Sequence, residues 1–357
     1  MKLLLILVSF IYGTLSVQSQ IIITGKVLDS ASREPLPGAS VFAQNTTQGT
    51  TCNQSGEFVL QLKSGGGYEL IFSFTGYKSQ EIRITENKNE NFEVLLVKED
   101  KSMGEVVIQS SNEVKDGWEK YGDFFISHFI GATPFAENCT IQNKDAVRFF
   151  YYRRSDKLKV LATDPLVISN EALGYDIHYQ LDSFVYYYKT DLSSYRGTCF
   201  FKEKLGVVSQ AMVWKTNREK AYFGSRLHFM RCYYDSTLKQ AGFNISLIND
   251  DKKTFGLLTN PYSKRYFSID DSTDEVVIHF PDKISVAYTK AVPENAYLKQ
   301  FNLPLDVGVQ VSYIDLLNPI AIKGNGYYYD QRSWVNQGYW SWKNLADLLP
   351  YDYWPDE

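Results

Sequence analysis

The sequence has few of the residues from which catalytic and metal sites are usually built. It contains only four histidines, and none begins the H-x-x-E or H-E-x-x-H patterns with which peptidases hold zinc. A G-x-S-x-G elbow, a phosphate-binding loop and a G-x-G-x-x-G loop are also missing from it. The sequence therefore predicts no catalytic residue, no metal ligand and no cofactor.

Basic residues are also fewer than acidic ones. Lys and Arg total 37 against 41 Asp and Glu, which gives a formal net charge of −4. A nucleic-acid-binding protein needs a basic surface, so that class is excluded. Beyond the first residues no apolar run approaches the roughly 18 residues of a membrane span, so no integral span is predicted after the N-terminal segment.

The N-terminal segment reads MKLLLILVSFIYGTLSVQSQ. Lys2 precedes an apolar run over residues 3–12, and Val17 and Ser19 suit positions −3 and −1 of a cleavage site. This pattern predicts a secretory signal peptide over residues 1–19. The alternative, a membrane anchor, is disfavoured because the run is too short to span a bilayer. No cysteine lies at the cleavage region, so a lipoprotein is not expected.

Cysteine is scarce as well, with residues at positions 52, 139, 199 and 232. An exported chain can keep disulfides, and four cysteines allow three pairings. Buried free thiols and one disulfide both remain open. The sequence has no C-x-x-C spacing, which disfavours a zinc ribbon and a thioredoxin-type pair.

Aromatic residues, in contrast, are abundant: 26 Tyr, 22 Phe and 6 Trp make up 15% of the chain. Tyr and Phe favour strands, so the composition indicates a mainly β or α+β protein. Seven short apolar runs separated by turn residues over 21–97 predict an antiparallel β-sandwich. A linker over 98–112 and a mostly antiparallel α+β domain over 113–357 are expected to follow.

A specific pattern runs through residues 21–97, in ITGKVLDSASREPLPGASVFAQNTTQGTTCNQSGEFVL and YELIFSFTGYKSQEIRI. It consists of G-x-V-x-D, P-L-P-G-A-x-V, G-T-T, G-x-F and F-x-G-Y, and it resembles the carboxypeptidase regulatory-like domain. The resemblance implies a transthyretin-like sandwich without catalytic residues of its own, common in exported proteins of Bacteroidetes. It therefore implies a periplasmic or outer-membrane-associated protein.

Residues 103–108, MGEVVI, resemble the short segment by which outer-membrane receptors engage TonB. In such receptors a plug and a large barrel follow, whereas about 250 residues follow here. We interpret this segment as a strand that leaves the first domain and as part of the linker.

Three segments of the second half resemble a region that recurs behind the regulatory-like domain in Bacteroidetes envelope proteins. They are NEALGYDIHYQL, REKAYFGSRLHFMR and LLPYDYWP. The region has no established activity, so this resemblance supplies no site.

Two helices are predicted in the second half. Over residues 113–130, aromatic side chains recur every three or four positions and share one face, namely Trp118, Tyr121, Phe125 and Phe129. Gly131 is the expected stop. Over residues 217–238, a second helix would align Arg218, Tyr222, Ser225 and Phe229. With His228 nearby, this row is either a polar binding cluster or a satisfied polar seam between helix and sheet.

The main functional hypothesis is a non-enzymatic exported envelope protein that serves interaction or assembly, with an envelope protein or a glycan as partner. The first alternative is a carbohydrate-binding protein, whose candidate residues, if exposed, are Trp334, Tyr339, Trp340 and Trp342. The second is an unrecognised hydrolase, which would need Ser225, His228 and an acidic residue in one cleft.

Overall fold

The computed structural model describes residues 20–84, 88–99, 112–249, 254–329 and 331–356. The predicted signal peptide, most of the predicted linker and residues 103–108 lie outside the described residues. Most buried apolar side chains of the described chain fall into three large clusters. Each cluster belongs to a different group of sheets.

The first group is the predicted sandwich. Its strands are β1 (Gln20–Asp29), β2 (Ser40–Ala43), β3 (Gly49–Thr51), β4 (Glu57–Lys63), β5 (Tyr68–Ser73), β6 (Gln80–Ile84) and β7 (Glu90–Leu96). One sheet has the order β4-β1-β7 and the other β3-β2-β5-β6. The predicted β-sandwich is confirmed. One detail differs, because β1 and β7 run parallel, whereas the other pairs are antiparallel.

Local sequence explains this sandwich well. In β4, Phe58, Leu60 and Leu62 are buried, while the residues between them are exposed. This period of two is the signature of a strand with one face on a core.

The second group is a six-stranded antiparallel sheet. It contains β8 (Cys139–Ile141), β9 (Val147–Tyr152), β10 (Lys157–Ala162), β11 (Leu166–Asn170), β12 (Tyr175–Tyr187) and β13 (Leu192–Glu203). The order is β8-β11-β12-β10-β9, and β13 pairs with β12 as well. Helix α1 (Gly117–Phe129) packs on this sheet through Phe125 and Phe129, so the predicted core-facing helix is confirmed, although it begins at Gly117 and not at residue 113. The helix ends just before Gly131, whose φ is +118°.

The predicted helix over 217–238 is wrong as a single element. The chain forms α2 (Val208–Tyr222), α3 (Arg226–Tyr234) and α4 (Leu238–Ala241) instead. Gly224 adopts a φ of +81°, and a Cβ there would lie 2.6 Å from the Tyr288 ring. Ser225 then begins α3, because its Oγ accepts a hydrogen bond from the His228 backbone N–H at 3.1 Å. The row predicted from Arg218 to Phe229 is therefore split between two helices.

The third group contains two antiparallel sheets with a shared core. Its elements are β14 (Phe243–Asn249), β15 (Thr254–Leu257), β16 (Phe267–Asp270), β17 (Glu275–Ile278), β18 (Ile284–Tyr288), α5 (Asn295–Gln300), β19 (Gln310–Leu316), β20 (Ile320–Ile322), β21 (Trp334–Gly338) and α6 (Tyr339–Trp342). The sheet orders are β15-β14-β18-β19-β21 and β16-β17-β20. After α6 the chain returns to the other two groups as a tail segment, residues 350–356.

All four cysteines are free thiols, which decides between the two alternatives left by the sequence. Cys52, Cys199 and Cys232 are buried, and burial raises the pKa of each thiol. Among the described residues, no helix combines the length and the apolar character needed to cross a bilayer.

Candidate functional site

A cleft of about 570 Å³ opens where the sandwich, the six-stranded sheet, helix α2 and the tail segment meet. We call it the tail cleft. The side chains that define it are Tyr175, Trp214, Arg218, Asp352, Tyr353 and Trp354, and the sandwich adds Thr47 and Lys63. Its volume falls within the range of small-molecule sites, which is about 300–1,000 Å³.

Helix α2 forms one wall of the tail cleft by holding the turn between β11 and β12. Trp214 Nε1–H donates to the carbonyl oxygen of Glu171 at 2.9 Å, and the Asn217 amide donates to that of Ala172 at 2.8 Å. Arg218 donates from Nε to Leu173 O at 2.7 Å and from Nη2 to Gly174 O at 3.2 Å. Positions i, i+3 and i+4 share one helix face, so three side chains capture four consecutive carbonyls.

The Trp214 indole is fixed between two glycines. A Cβ on Gly174 would lie 2.3 Å from its ring, and a Cβ on Gly206 would lie 2.6 Å from it. Gly174 also adopts a φ of +71°, which disfavours other residues. The indole is thus a rigid, mostly buried part of the wall.

Arg218, predicted as a candidate site residue, does lie at the tail cleft. Its guanidinium is 4.0 Å from the Tyr175 ring centroid, and its Nη1 donates to Glu203 Oε1 at 2.9 Å. All three of its nitrogens therefore have partners. Arg218 orders the wall and presents Glu203 at the edge of the cleft.

The tail segment forms the opposite wall and is bonded to the sandwich. Asp352 accepts a hydrogen bond from the Thr47 backbone N–H at 2.9 Å and from Gln48 Nε2 at 2.8 Å. The Thr47 hydroxyl donates to the same carboxylate. The Tyr351 N–H also donates to Asn45 O at 2.8 Å. The cleft therefore depends on how the sandwich is docked.

Arg231, on helix α3, contacts the tail segment at its backbone and at the Trp354 ring. Only 2% of this residue is exposed. Its Nε donates to Asn325 O and its Nη2 to Tyr351 O, both at 3.0 Å. Its guanidinium lies 3.6 Å from the Trp354 ring centroid. Burial lowers the pKa of Arg231, and the carbonyls and rings around it offset the cost of a buried cation.

The other predicted residues of this region lie behind the cleft. Tyr222 is buried, and its ring centroid is 6.0 Å from that of Tyr353. His228 is buried among aromatic rings, and its Nδ1 accepts a hydrogen bond from the Gly224 N–H at 3.1 Å. Burial, together with the nearby cations Lys290 and Arg231, lowers the pKa of His228 to about 4.

The arrangement that the hydrolase alternative requires is not formed by these groups. The Ser225 hydroxyl accepts a hydrogen bond from the backbone N–H of His228, whereas a nucleophilic serine donates to the imidazole, and here the His228 Nδ1 accepts from the Gly224 N–H instead. Both charged groups that act on the imidazole are cations, whereas a catalytic triad places a carboxylate there. In the part of the chain that the structure describes, no three His, Cys, Asp or Glu side chains are grouped so that they could hold a metal ion.

The four candidates for carbohydrate binding are buried, although their role was conditional on exposure. Trp334 and Trp340 pack in the third core beside Phe229, and Tyr339 and Trp342 pack around Tyr297. They cannot offer a flat face to a sugar in this structure. The aromatic density of this segment reflects a core, which the sequence pattern alone could not distinguish from a surface.

Sequence reasoning missed Trp214, Arg231, Asp352 and Trp354 as parts of one site. A signal was present, since the three segments of the second resemblance converge here. The first supplies Tyr175, the second supplies Arg218 and Arg231, and the third supplies Asp352 and Trp354.

The fold is thus a two-sheet β-sandwich docked on a β-rich second half. Residues 23–108 match the family described as the CarboxypepD_reg-like domain, so the sandwich is a domain of this kind. The chain is also 31% identical over 114 residues to the TonB-dependent receptor SusC of Bacteroides thetaiotaomicron. That match covers 32% of this chain and 11% of the receptor, so the chain spans about a tenth of the length of this curated relative.

Two solved structures illustrate likeness over part of the chain. A type II cohesin–X-dockerin complex from Acetivibrio cellulolyticus matches at 16% identity, covering 22% of this chain and 59% of that one, with a TM-score of 0.20. A putative carbohydrate binding protein from Bacteroides uniformis matches at 8% identity, covering 42% and 53%, with a TM-score of 0.19. At these TM-scores the likeness carries no information about function.

Proposed function

We propose that this chain is a non-enzymatic exported protein of the cell envelope, periplasmic or outer-membrane associated, that acts as an interaction module. The regulatory-like domain supports this proposal, because the resemblance implies a domain without catalytic residues of its own. The similarity to the TonB-dependent receptor SusC supports an envelope location. The signal peptide over 1–19 remains a prediction, and N-terminal sequencing of the mature protein that begins at Gln20 would support it.

The observation that carries the proposal is an exposed apolar surface at the rim of the tail cleft. Leu205, which also lines the cleft, is fully exposed. Four more apolar residues are over half exposed. Val207 precedes α2, and Val208, Met212 and Val213 lie on it. We call these five residues the apolar lip. Contiguous exposed apolar side chains are typical of interaction surfaces, and burying each one contributes about 1.5–3 kcal/mol.

The charges around the apolar lip favour a protein partner over a lipid surface. Lys204 pairs with Glu171 and Asp176, and Lys215 pairs with Asp356. Arg218 pairs with Glu203, as described above. These cations are already neutralised, whereas binding to anionic lipids relies on unpaired basic residues. We therefore propose a protein partner that presents an apolar surface of its own.

This proposal is tested in cells with charged substitutions in the apolar lip. V208D and M212D are expected to release the protein from its envelope complex, measured as a shift to the free species on native gels of mildly solubilised envelopes. I269D is the control, because Ile269 is also more than half exposed but lies on β16. A complex that survives both lip substitutions, or that I269D disrupts as strongly, would contradict the proposal.

A further inference from the structure

The tail cleft has the features of a ligand site, and its chemistry is different from that of the apolar lip. Both walls carry aromatic side chains, with Trp214 on α2 and Trp354 on the tail segment, and both carry charges that form ion pairs. We infer that the cleft binds a short neutral saccharide, with Trp354 as the stacking platform and Glu203 at the polar edge. This inference does not depend on the apolar lip having a protein partner.

Trp354 is prepared for stacking before any ligand arrives. Its ring rests on the Arg231 guanidinium at 3.6 Å, which fixes the ring plane. The residue nevertheless remains 45% exposed and lines the cleft. A pyranose presents an apolar C–H face, and a fixed, partly exposed indole is a suitable surface for it because little side-chain entropy is lost on binding.

Tyr353 extends this aromatic wall. It also lines the cleft, and its ring contacts Tyr222 behind it. The two consecutive aromatic residues follow Asp352, which is bonded to Thr47 and Gln48 of the sandwich. The platform is thus held at both ends, by Arg231 and by the sandwich.

The polar groups of the cleft favour a neutral ligand that both donates and accepts hydrogen bonds. Glu203 is bonded to Arg218, and Asp356 to Lys215, and both carboxylates are well exposed to solvent. An ionised carboxylate has about four acceptor positions, so each keeps free capacity for hydroxyl donors. Four cations and three carboxylates line the cleft, so its charges nearly balance and do not create a strong field that selects an ionic ligand.

The size of the cleft sets the length of the ligand. A volume of about 570 Å³ lies in the middle of the small-molecule range. Leu205 of the apolar lip and Ala211 on α2 line the cleft, and both are exposed to solvent. A short oligosaccharide can therefore enter with one or two sugar rings between the walls and the rest outside.

The experiment is calorimetric titration of the full mature chain with neutral tri- to hexasaccharides of glucose, mannose and galactose in α and β linkages. Oligogalacturonate of the same lengths is the acidic arm. At least one neutral series is expected to bind more tightly than the acidic one. Absence of binding to every neutral series by the folded wild-type chain, or tighter binding of oligogalacturonate, would overturn the inference.

Substitutions of residues that line the tail cleft test whether the saccharide binds there. W354A is expected to weaken binding about tenfold, because it removes the stacking face, whereas W354F retains an aromatic face and most of the affinity. E203Q is expected to weaken binding by a smaller factor. The control is Y187A, since Tyr187 is 42% exposed on β12 and does not line the cleft. Equal losses in W354A and Y187A, or no loss in W354A, would overturn the assignment to this cleft.

Circular dichroism and thermal unfolding accompany each variant. If W354A proves unfolded, the comparison of W354F and E203Q with Y187A decides the outcome. A neutral saccharide that binds these three variants and the wild type equally would then overturn the site.

Discussion

The guanidinium carbon of Arg231 lies 3.6 Å from the ring centroid of Trp354, with the cation buried and the indole at the surface. This stacked pair joins helix α3 to the tail segment. Through Asn325, whose side chain bonds the backbone of Gly67 at 3.2 and 3.3 Å, it also connects to the sandwich. The sandwich, the third group of sheets, helix α3 and the tail segment therefore share one buried polar connection beneath the tail cleft.

Removal of Arg231 is the first prediction. R231A leaves two buried carbonyls without their donors, so we expect a loss of about 2–4 kcal/mol in the free energy of unfolding. Urea denaturation measures it. The matched control is R33A, which removes an exposed pair with Glu93 and is expected to cost less than about 1 kcal/mol. Equal effects of the two substitutions would contradict the role assigned to Arg231.

The second prediction concerns the attachment of the tail segment to the sandwich. D352N weakens three hydrogen bonds to a charged acceptor, so we expect a loss of about 1–3 kcal/mol and faster cleavage of the tail segment in limited proteolysis. D356N is the control, because Asp356 makes an exposed pair with Lys215. A tail segment as resistant in D352N as in D356N would show that Asp352 does not hold it.

The third prediction separates backbone strain from close packing. Gly174 and Gly76 both adopt positive φ, at +71° and +82°. A Cβ at Gly76 would meet no described atom within 4 Å, whereas one at Gly174 would enter the Trp214 ring. We expect G76A to cost about 1 kcal/mol from strain alone and G174A to cost about 1–3 kcal/mol more. Thermal unfolding of the two variants tests this difference, and equal costs would contradict it.

The fourth prediction is a pH dependence from His228. Its pKa is about 4 in the folded chain, against 6.5 ordinarily, because burial disfavours the imidazolium. The unfolded chain therefore binds the extra proton first as pH falls. The stability that the neutral His228 contributes to the folded chain is fully present above pH 6.5. It is lost progressively as pH falls from 6.5 to 4, by up to about 3 kcal/mol in the free energy of unfolding.

This dependence is measured as the free energy of unfolding of wild type and H228Q across pH 4–8. Glutamine retains an acceptor for the Gly224 N–H, whose bond to the imidazole is 3.1 Å long. We expect the wild type to lose more stability than the variant as pH falls from 6.5 to 4. Parallel curves would mean that His228 is not held neutral by the fold.

Much of the fold was predictable because its determinants are local. The alternation in β4 and the spacing of Phe125 and Phe129 in α1 identify a strand and a helix without knowledge of their neighbours. The break at Gly224 was not predicted, because the need for glycine arises from the Tyr288 ring, which is distant in sequence. The division of the chain into domains at 21–97 and 113–357 remains a prediction.

The candidate site was only partly predictable, because its walls come from distant parts of the chain. Arg218 was identified from its helix, but its neighbours across the cleft were not. Thr47 and Asp352, which are hydrogen-bonded, are 305 positions apart. For the C-terminal aromatic residues, burial makes the difference. Trp340 and Trp354 both lie in aromatic-rich sequence, but only Trp354 is exposed. No local pattern carries that distinction.

Site-specific photo-crosslinking in living cells tests directly whether the apolar lip binds a protein partner. A photoreactive residue replaces Val208 or Met212, and in a control strain it replaces Ile269, which is comparably exposed. Both lip positions are expected to crosslink to the same envelope protein, and Ile269 is not. No adduct from either lip position, or the same adducts from all three positions, would contradict the claim that this surface is where the protein acts.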